Sequence, residues 1–373
     1  MVKPDEHGWD GSAGVRRTAP GSSDGPGRVA VRLSRRQVLT LAAAGGAALA
    51  LPQMSWPGRV RAQTAGADAG AITEYAIPTA DSLPGGIVLG PDGAFWFYET
   101  GANQIGRITT DSQITEYPIP TANASSPRQG FLAVGPDNAI WFTENHATTL
   151  GRVAMDGTIA EFPIPTVVRT HNPTAWENPL LGVAGGLDGA VWFTEALANA
   201  IGRITPDGSI SEFVLSTADS VPGGIVAGPD GALWFTEVAG NQIGRITTDG
   251  QVSEFPIPTA NSFSVRLTVG PDNAIWFAEI RGNQIGRDGM DGVFSEYPAG
   301  VTGPVGITAG PDGAIWFTGY TSNEIGRLTL DGTLTTYPVP TAKCQPYHIL
   351  PGPDGAMWFT ELQGNKIGRL QLQ

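Results

Sequence analysis

Residues 224–255 read Gly-Ile-Val-Ala-Gly-Pro-Asp-Gly-Ala-Leu-Trp-Phe-Thr-Glu-Val-Ala-Gly-Asn-Gln-Ile-Gly-Arg-Ile-Thr-Thr-Asp-Gly-Gln-Val-Ser-Glu-Phe. Four short apolar stretches stand in this window, at 224–227, 232–237, 242–246 and 252–255. Each is strand-length and too short for an independent helix. Pro229-Asp230-Gly231 separates the first two and Asp249-Gly250 the last two. Asp-Gly between alternating apolar runs is the sequence of a tight hairpin turn, because Gly accepts the positive φ the turn needs. The window therefore predicts four antiparallel strands, called a, b, c and d in chain order.

The window recurs. Trp precedes Phe at Trp96, Trp141, Trp192, Trp234, Trp276, Trp316 and Trp358, at spacings of 45, 51, 42, 42, 40 and 42 residues. A near-fixed period of this size marks a repeat fold. Seven four-stranded units predict an all-β protein, a seven-bladed β-propeller. The last unit has strands a (around Ile349), b (around Trp358) and c (367–370) but no d, while Ile72-Thr73-Glu74-Tyr75 stands before the first unit as an unattached d strand. Pairing that N-terminal strand into the last blade closes the ring and removes its exposed edges.

Composition agrees with many tight turns and disfavours long helices: 51 Gly and 30 Pro among 373 residues, with only 15% charged. Residues 1–62 hold nine Lys/Arg and four Asp/Glu, which leaves residues 63–373 with thirteen and thirty-one, a net charge of −18. A body this acidic repels phosphate backbones, so nucleic acid is not an expected partner. The single cysteine, Cys344, excludes an internal disulfide.

The N-terminus reads as an address. Ser34-Arg35-Arg36 precedes the apolar run 38–51, and Val60-Arg61-Ala62 offers a small-x-small cleavage site. The run is shorter than the ~20 residues that span a bilayer. The pattern resembles a bacterial twin-arginine signal, which exports folded proteins and suits a chain without disulfides. The expected organisation is an N-terminal extension and signal over 1–62 and a propeller over 63–373, exported to the periplasm or beyond, with no membrane span in the mature form.

Repetition separates scaffold from site. Ile/Leu-Gly-Arg recurs at Arg107, Arg152, Arg203, Arg245, Arg287, Arg327 and Arg369, and Glu follows Trp-Phe-x at Glu99, Glu144, Glu195, Glu237, Glu279 and Glu361. Residues used in nearly every blade are expected to be structural, and these two sets predict a Glu/Arg scaffold between strands b and c. The d–a and b–c loops are longer and more varied than the Asp-Gly turns, so their side of the ring is the expected binding face. Pattern-breakers there are the candidates. Arg266, Tyr347 and His348 stand at the start of strand a, and Arg128 and Gln129 lie in an enlarged d–a loop. His146, Arg281 and Tyr320 stand in b–c loops, with Gly319 in place of the repeated Glu. The longest d–a loop carries Arg169, His171, Trp176 and Glu177. Together they predict a polar and aromatic patch around the channel mouth of a monomer, able to hold a small molecule or a cyclic peptide. There is no His-Glu-x-x-His, no Gly-x-Ser-x-Gly and no paired-Cys metal motif.

The repeat text itself resembles a known family. Ile-Thr-Glu-Tyr-Pro-Ile-Pro-Thr (114–121), Gly-Pro-Asp-Gly-Ala-Ile-Trp-Phe-Thr (310–318) and Asn-Lys-Ile-Gly-Arg-Leu (365–370) are similar to the blades of the virginiamycin B lyase (streptogramin B lyase) family, over nearly all of 72–373. The resemblance implies a carbon–oxygen lyase that opens a cyclic depsipeptide ester by elimination, with Mg²⁺ stabilising the developing negative charge. It also implies a His at the start of strand a in blade six, a Glu and a His around the Pro that begins strand a of blade seven, and a Glu in the b–c region of blade seven. Those places hold Val305, then Gln345 and Tyr347 around Pro346, and Gln363, or Glu361 if the loop is aligned from Trp358. His348, one residue beyond the expected imidazole, faces the other side of its strand. His348, Tyr347 and Glu361 are the catalytic candidates; Arg266, Arg281, Arg128, His146 and Tyr320 are the binding candidates. Two readings follow: an exported lyase-like enzyme using Mg²⁺, and a non-catalytic propeller that binds a ligand or partner at the channel mouth.

Overall fold

The computed structural model describes residues 61–64, 70–124, 130–146, 148–165 and 180–372. The twin-arginine segment, Arg128, Gln129, Arg169, His171, Trp176 and Glu177 lie outside the described residues. Seven antiparallel sheets, each with four strands of this pattern, make the blades of an all-β propeller. Blade four is representative: Pro222–Ala227 is strand a, Leu233–Glu237 b, Gln242–Ile246 c and Val252–Pro256 d. The predicted closure is present. Ile72–Ala76 pairs antiparallel with Lys366–Leu370, Ile72 opposite Leu370 and Tyr75 opposite Ile367. Lys366 Nζ fastens the seam 2.7 Å from Glu74 Oε2. An additional strand, Arg61–Thr64, runs parallel to Thr333–Pro338 of blade six, so residues assigned to the leader also pair with the propeller.

The repeated Trp and Phe fill the layers between blades. Trp234 packs with Leu267, Ile275 and Phe277 of blade five, and Phe235 packs with Trp192 and Ile201 of blade three. Adjacent residues of a strand face opposite sides, so one Trp-Phe step serves both neighbours. Phe255 stacks on Trp234 at 5.7 Å, and the Arg245 guanidinium lies over the same ring at 5.9 Å. Asp230, in the a–b turn, receives Trp234 Nε1–H at 3.1 Å and Arg245 Nε–H at 2.7 Å. The Asp–Arg contact occurs in all seven blades, from Arg107–Asp92 to Arg369–Asp354.

This overturns the predicted Glu/Arg scaffold. Arg107 is opposite Trp96, whereas Glu99 is three residues further along strand b and so faces the other side of the sheet. There it meets a second repeated carboxylate, that of strand d: Glu99 with Glu116, Glu144 with Glu161, Glu237 with Glu254, Glu279 with Glu296 and Glu361 with Glu74. Gly on strand c makes the room, since a Cβ at Gly106 would lie 2.2 Å from Phe97 and 2.6 Å from Glu99 Oε1. Blade six loses both carboxylates together, with Gly319 on strand b and Thr336 on strand d, each opposite a neighbour on strand c.

Burial first, and the facing carboxylate second, push these strand-b groups up to about 8 for Glu99, Glu144 and Glu279 and about 7 for Glu237 and Glu361. The folded state therefore binds more protons than the unfolded chain between the ordinary carboxylate value of 4.5 and about 8. That contribution is present in acid and is lost as pH rises through this window. The turn aspartates are shifted down by Arg and Trp hydrogen bonds and act only below their ordinary 3.8. We expect the melting temperature to fall from about pH 5 to about pH 8, with a shallower slope in Glu99→Gln. Calorimetry across that range checks this; a flat or rising profile contradicts it.

Candidate functional site

Strand a lines the central channel, and its register sets which side chains reach it. Counting back one residue from the partner of each strand-b Phe gives Gly86, Phe131, Gly182, Gly224, Arg266, Gly306 and His348 at one level. The glycines are there because the blades approach closely. A Cβ at Gly86, Gly182, Gly224 or Gly306 would sit 2.4, 2.5, 2.6 or 2.5 Å from a carbonyl oxygen on, or just before, strand a of the next blade. Only Phe131, Arg266 and His348 project side chains at this level.

Arg266 crosses towards two other blades. Its guanidinium carbon lies 4.3 Å from the centre of the Phe131 ring of blade two and 5.1 Å from that of Tyr347 in blade seven. It is 6% exposed. Its Nη2 reaches Gly130 O only at 3.5 Å, the outer limit of a hydrogen bond, and its Nε has no hydrogen-bond partner. Among the described residues it makes no ion pair. Burial lowers its affinity for the proton, but a guanidinium keeps its charge at any ordinary pH. The buried charge is therefore uncompensated, and such a charge costs stability.

His348 stands at the same level. Its Nδ1 accepts the Ile87 N–H at 3.0 Å, stitching blade seven to blade one. Burial, then the Arg266 charge, holds its pKa well below the ordinary 6.5, so the ring is neutral. With the Nδ1 lone pair engaged, the proton of the neutral ring is on Nε2, which acts as a donor.

A cavity of about 340 Å³ runs inward from this level. Arg266, His348 and Phe131 stand at one end, and Val134, Gly185 and Ala227, the last residues of their strands a, stand towards the a–b turns. Between them the wall is aliphatic, with Val88, Leu132, Val183, Ile225, Leu267 and Ile307. A second cavity of about 360 Å³, between blades two and three, is lined by the scaffold residues Asp137, Trp141 and Arg152.

The structure thus brings Arg266, Tyr347, His348 and Tyr320 together, the two tyrosine rings meeting edge-on at 6.4 Å. They are not on an open mouth: Tyr347 is only 8% exposed, in an apolar cluster with Val305 and Leu362. Glu361 is not with them; it is buried on strand b against Glu74, as one of the repeated carboxyl pairs. Arg281 stacks on Phe263 at 4.3 Å, and His146 is exposed in its loop with its backbone N–H on Ala124 O; neither lines the channel cavity. Phe131 was not singled out from the sequence, although it replaces Gly in the innermost series just as Arg266 and His348 do.

The fold and site define a seven-bladed propeller with a basic and aromatic channel. The model of the virginiamycin B lyase family matches residues 53–174 and 167–302, and the chain belongs to that family. A streptogramin B lyase structure is 38% identical, with a TM-score of 0.74, covering 82% of this chain and 98% of that one. A catalytically inactive variant of virginiamycin B lyase from Staphylococcus aureus, solved with quinupristin, is 39% identical with a TM-score of 0.73, covering 82% and 100%. The virginiamycin B lyase of Bordetella pertussis is 56% identical over 46 residues, a match that spans only 12% of this chain and 15% of that protein. Among the described residues no helix is long and apolar enough to cross a membrane.

The close approach of strands a is directly testable. Gly224→Ala places a methyl against Val265 O and is expected to cost about 1–3 kcal/mol in urea unfolding. An unchanged midpoint contradicts this account of the innermost glycines.

Proposed function

We propose that this chain is an exported, ligand-binding member of its family, which holds its ligand in the central channel at Arg266 and His348 and does not open cyclic depsipeptides. The observation that carries the reading is the charge of the channel: its ionisable groups at the innermost level are one uncompensated guanidinium and one neutral imidazole. The twin-arginine pattern at Arg35-Arg36 supports export.

Elimination needs a base to take the proton alpha to a carbonyl and an electrophile for the developing negative charge. His348 is poorly suited to be that base, because Ile87 N–H occupies one ring nitrogen and the proton the other. At the places the resemblance marks, Val305 and Tyr347 are buried in one apolar cluster with Leu362, and Glu361 faces Glu74. The donor set does not fit Mg²⁺, which prefers carboxylate oxygens, and no group of three or more His, Cys, Asp or Glu among the described residues is arranged to hold a metal ion. A nearby guanidinium adds repulsion of a cation.

The second reading, a lyase, is favoured by the 38% identity to a streptogramin B lyase across 98% of that chain. Incubating the purified protein with quinupristin and MgCl₂, followed by chromatography and mass spectrometry, separates the two. We expect no product beyond the protein-free control. A ring-opened product of unchanged mass, lost in His348→Ala, would overturn the ligand-binding reading.

A further inference from the structure

Among the described groups facing the channel, Arg266 alone is charged, buried and without a counter-ion. A buried guanidinium destabilises the fold unless an anion meets it. Two aromatic rings and the Tyr347 hydroxyl favour its charge, but none of them carries the full negative charge of a carboxylate. Its Nε–H is unused and it lines the cavity, as does His348, whose Nε2–H is the second donor. Both sit at one end of an aliphatic tube, and the other end leads to the a–b turn side. The net charge of residues 63–373, −18, makes a positive channel a local exception.

We propose that the channel is a binding site for a monocarboxylate with a short aliphatic tail. The carboxylate lies against Arg266 and His348 Nε2, and the tail runs between Val88, Leu132, Val183, Ile225, Leu267 and Ile307. This rests on the reading of the channel as a ligand site. A carboxylate supplies the charge the guanidinium lacks, one oxygen lying against the guanidinium and the other accepting the His348 Nε2–H. The tail replaces water on an aliphatic wall, and a cavity of about 340 Å³ holds a chain of several carbons. A cationic head is repelled by Arg266, and a neutral head leaves its charge uncompensated.

Calorimetric titration of the full chain with hexanoate, hexylamine, hexanol and inorganic phosphate tests this. Hexanoate alone is expected to bind, and its affinity to fall roughly tenfold or more in Arg266→Met while Arg266→Lys retains part of it. Thermal melts of the ligand-free proteins give a second readout. Arg266→Met, which removes an unpaired buried charge at similar volume, is expected to melt at or above the parent. A lower melt in Arg266→Met would make the guanidinium a structural plug on Phe131 and Tyr347 and overturn the proposal. No hexanoate binding, or equal binding to Arg266→Met, also overturns it. Phosphate binding as tightly as hexanoate removes the aliphatic-tail claim. Hexanol or hexylamine binding in place of hexanoate would refute the carboxylate while leaving a ligand channel intact; a ring-opened quinupristin product would refute the non-catalytic reading, while the hexanoate titration still decides the carboxylate site.

Discussion

The closeness of neighbouring strands a is the constraint on which the rest of this propeller depends. At the innermost level the backbone of one blade lies so near the carbonyl oxygens of the next that four of seven positions admit no side chain. A hydroxyl on strand b reinforces the contact in several blades: Thr194 Oγ1 accepts Gly182 N–H at 2.7 Å and donates to Gly223 O of the following blade at 2.7 Å. Thr360 repeats this donation across the seam to Gly85 O at 2.8 Å. What can line the channel is thereby reduced to Phe131, Arg266 and His348. The character of the site follows from those three residues and from the apolar wall beneath them.

Around that centre the electrostatics are sorted by sheet face. One face of each blade carries the Asp–Trp–Arg contacts near the turns, largely buried and satisfied. The other carries, in most blades, two carboxyls that cannot both ionise cheaply next to each other. Blade six shows that the pair is one unit, since Gly319 and Thr336 replace both members at once. These carboxyls give the fold a dependence on pH without marking a catalytic centre. Glu361 illustrates the point: its perturbed proton comes from burial and Glu74, as in four other blades, rather than from a substrate site.

The architecture was legible because its signals are periodic. Trp-Phe, Asp-Gly and Ile-Gly-Arg recur at a steady interval, and the spare d strand at Ile72 announces how the ring closes. Partner choice was less legible. Glu99 and Arg107 stand on strands that hydrogen-bond to each other, yet the parity of the strand sends their side chains to opposite faces, and Asp92 takes the Arg. Of the site, Arg266 and His348 were visible as breaks in a glycine series. Phe131 broke the same series but looked like one more core aromatic. That Arg266 stacks on rings from blades two and seven could not be read from a linear chain, because 135 residues separate it from Phe131 and only ring closure brings blade seven beside blade one.

Among the described residues the channel presents an uncompensated positive charge where the family resemblance implies a magnesium site. Anomalous diffraction from crystals soaked separately in bromide and in Mn²⁺ reads the sign of that charge directly. We expect a bromide peak against the Arg266 guanidinium, within reach of His348 Nε2, and no manganese peak in the channel. A manganese ion bound beside Tyr347 and His348, with no bromide at Arg266, would contradict it.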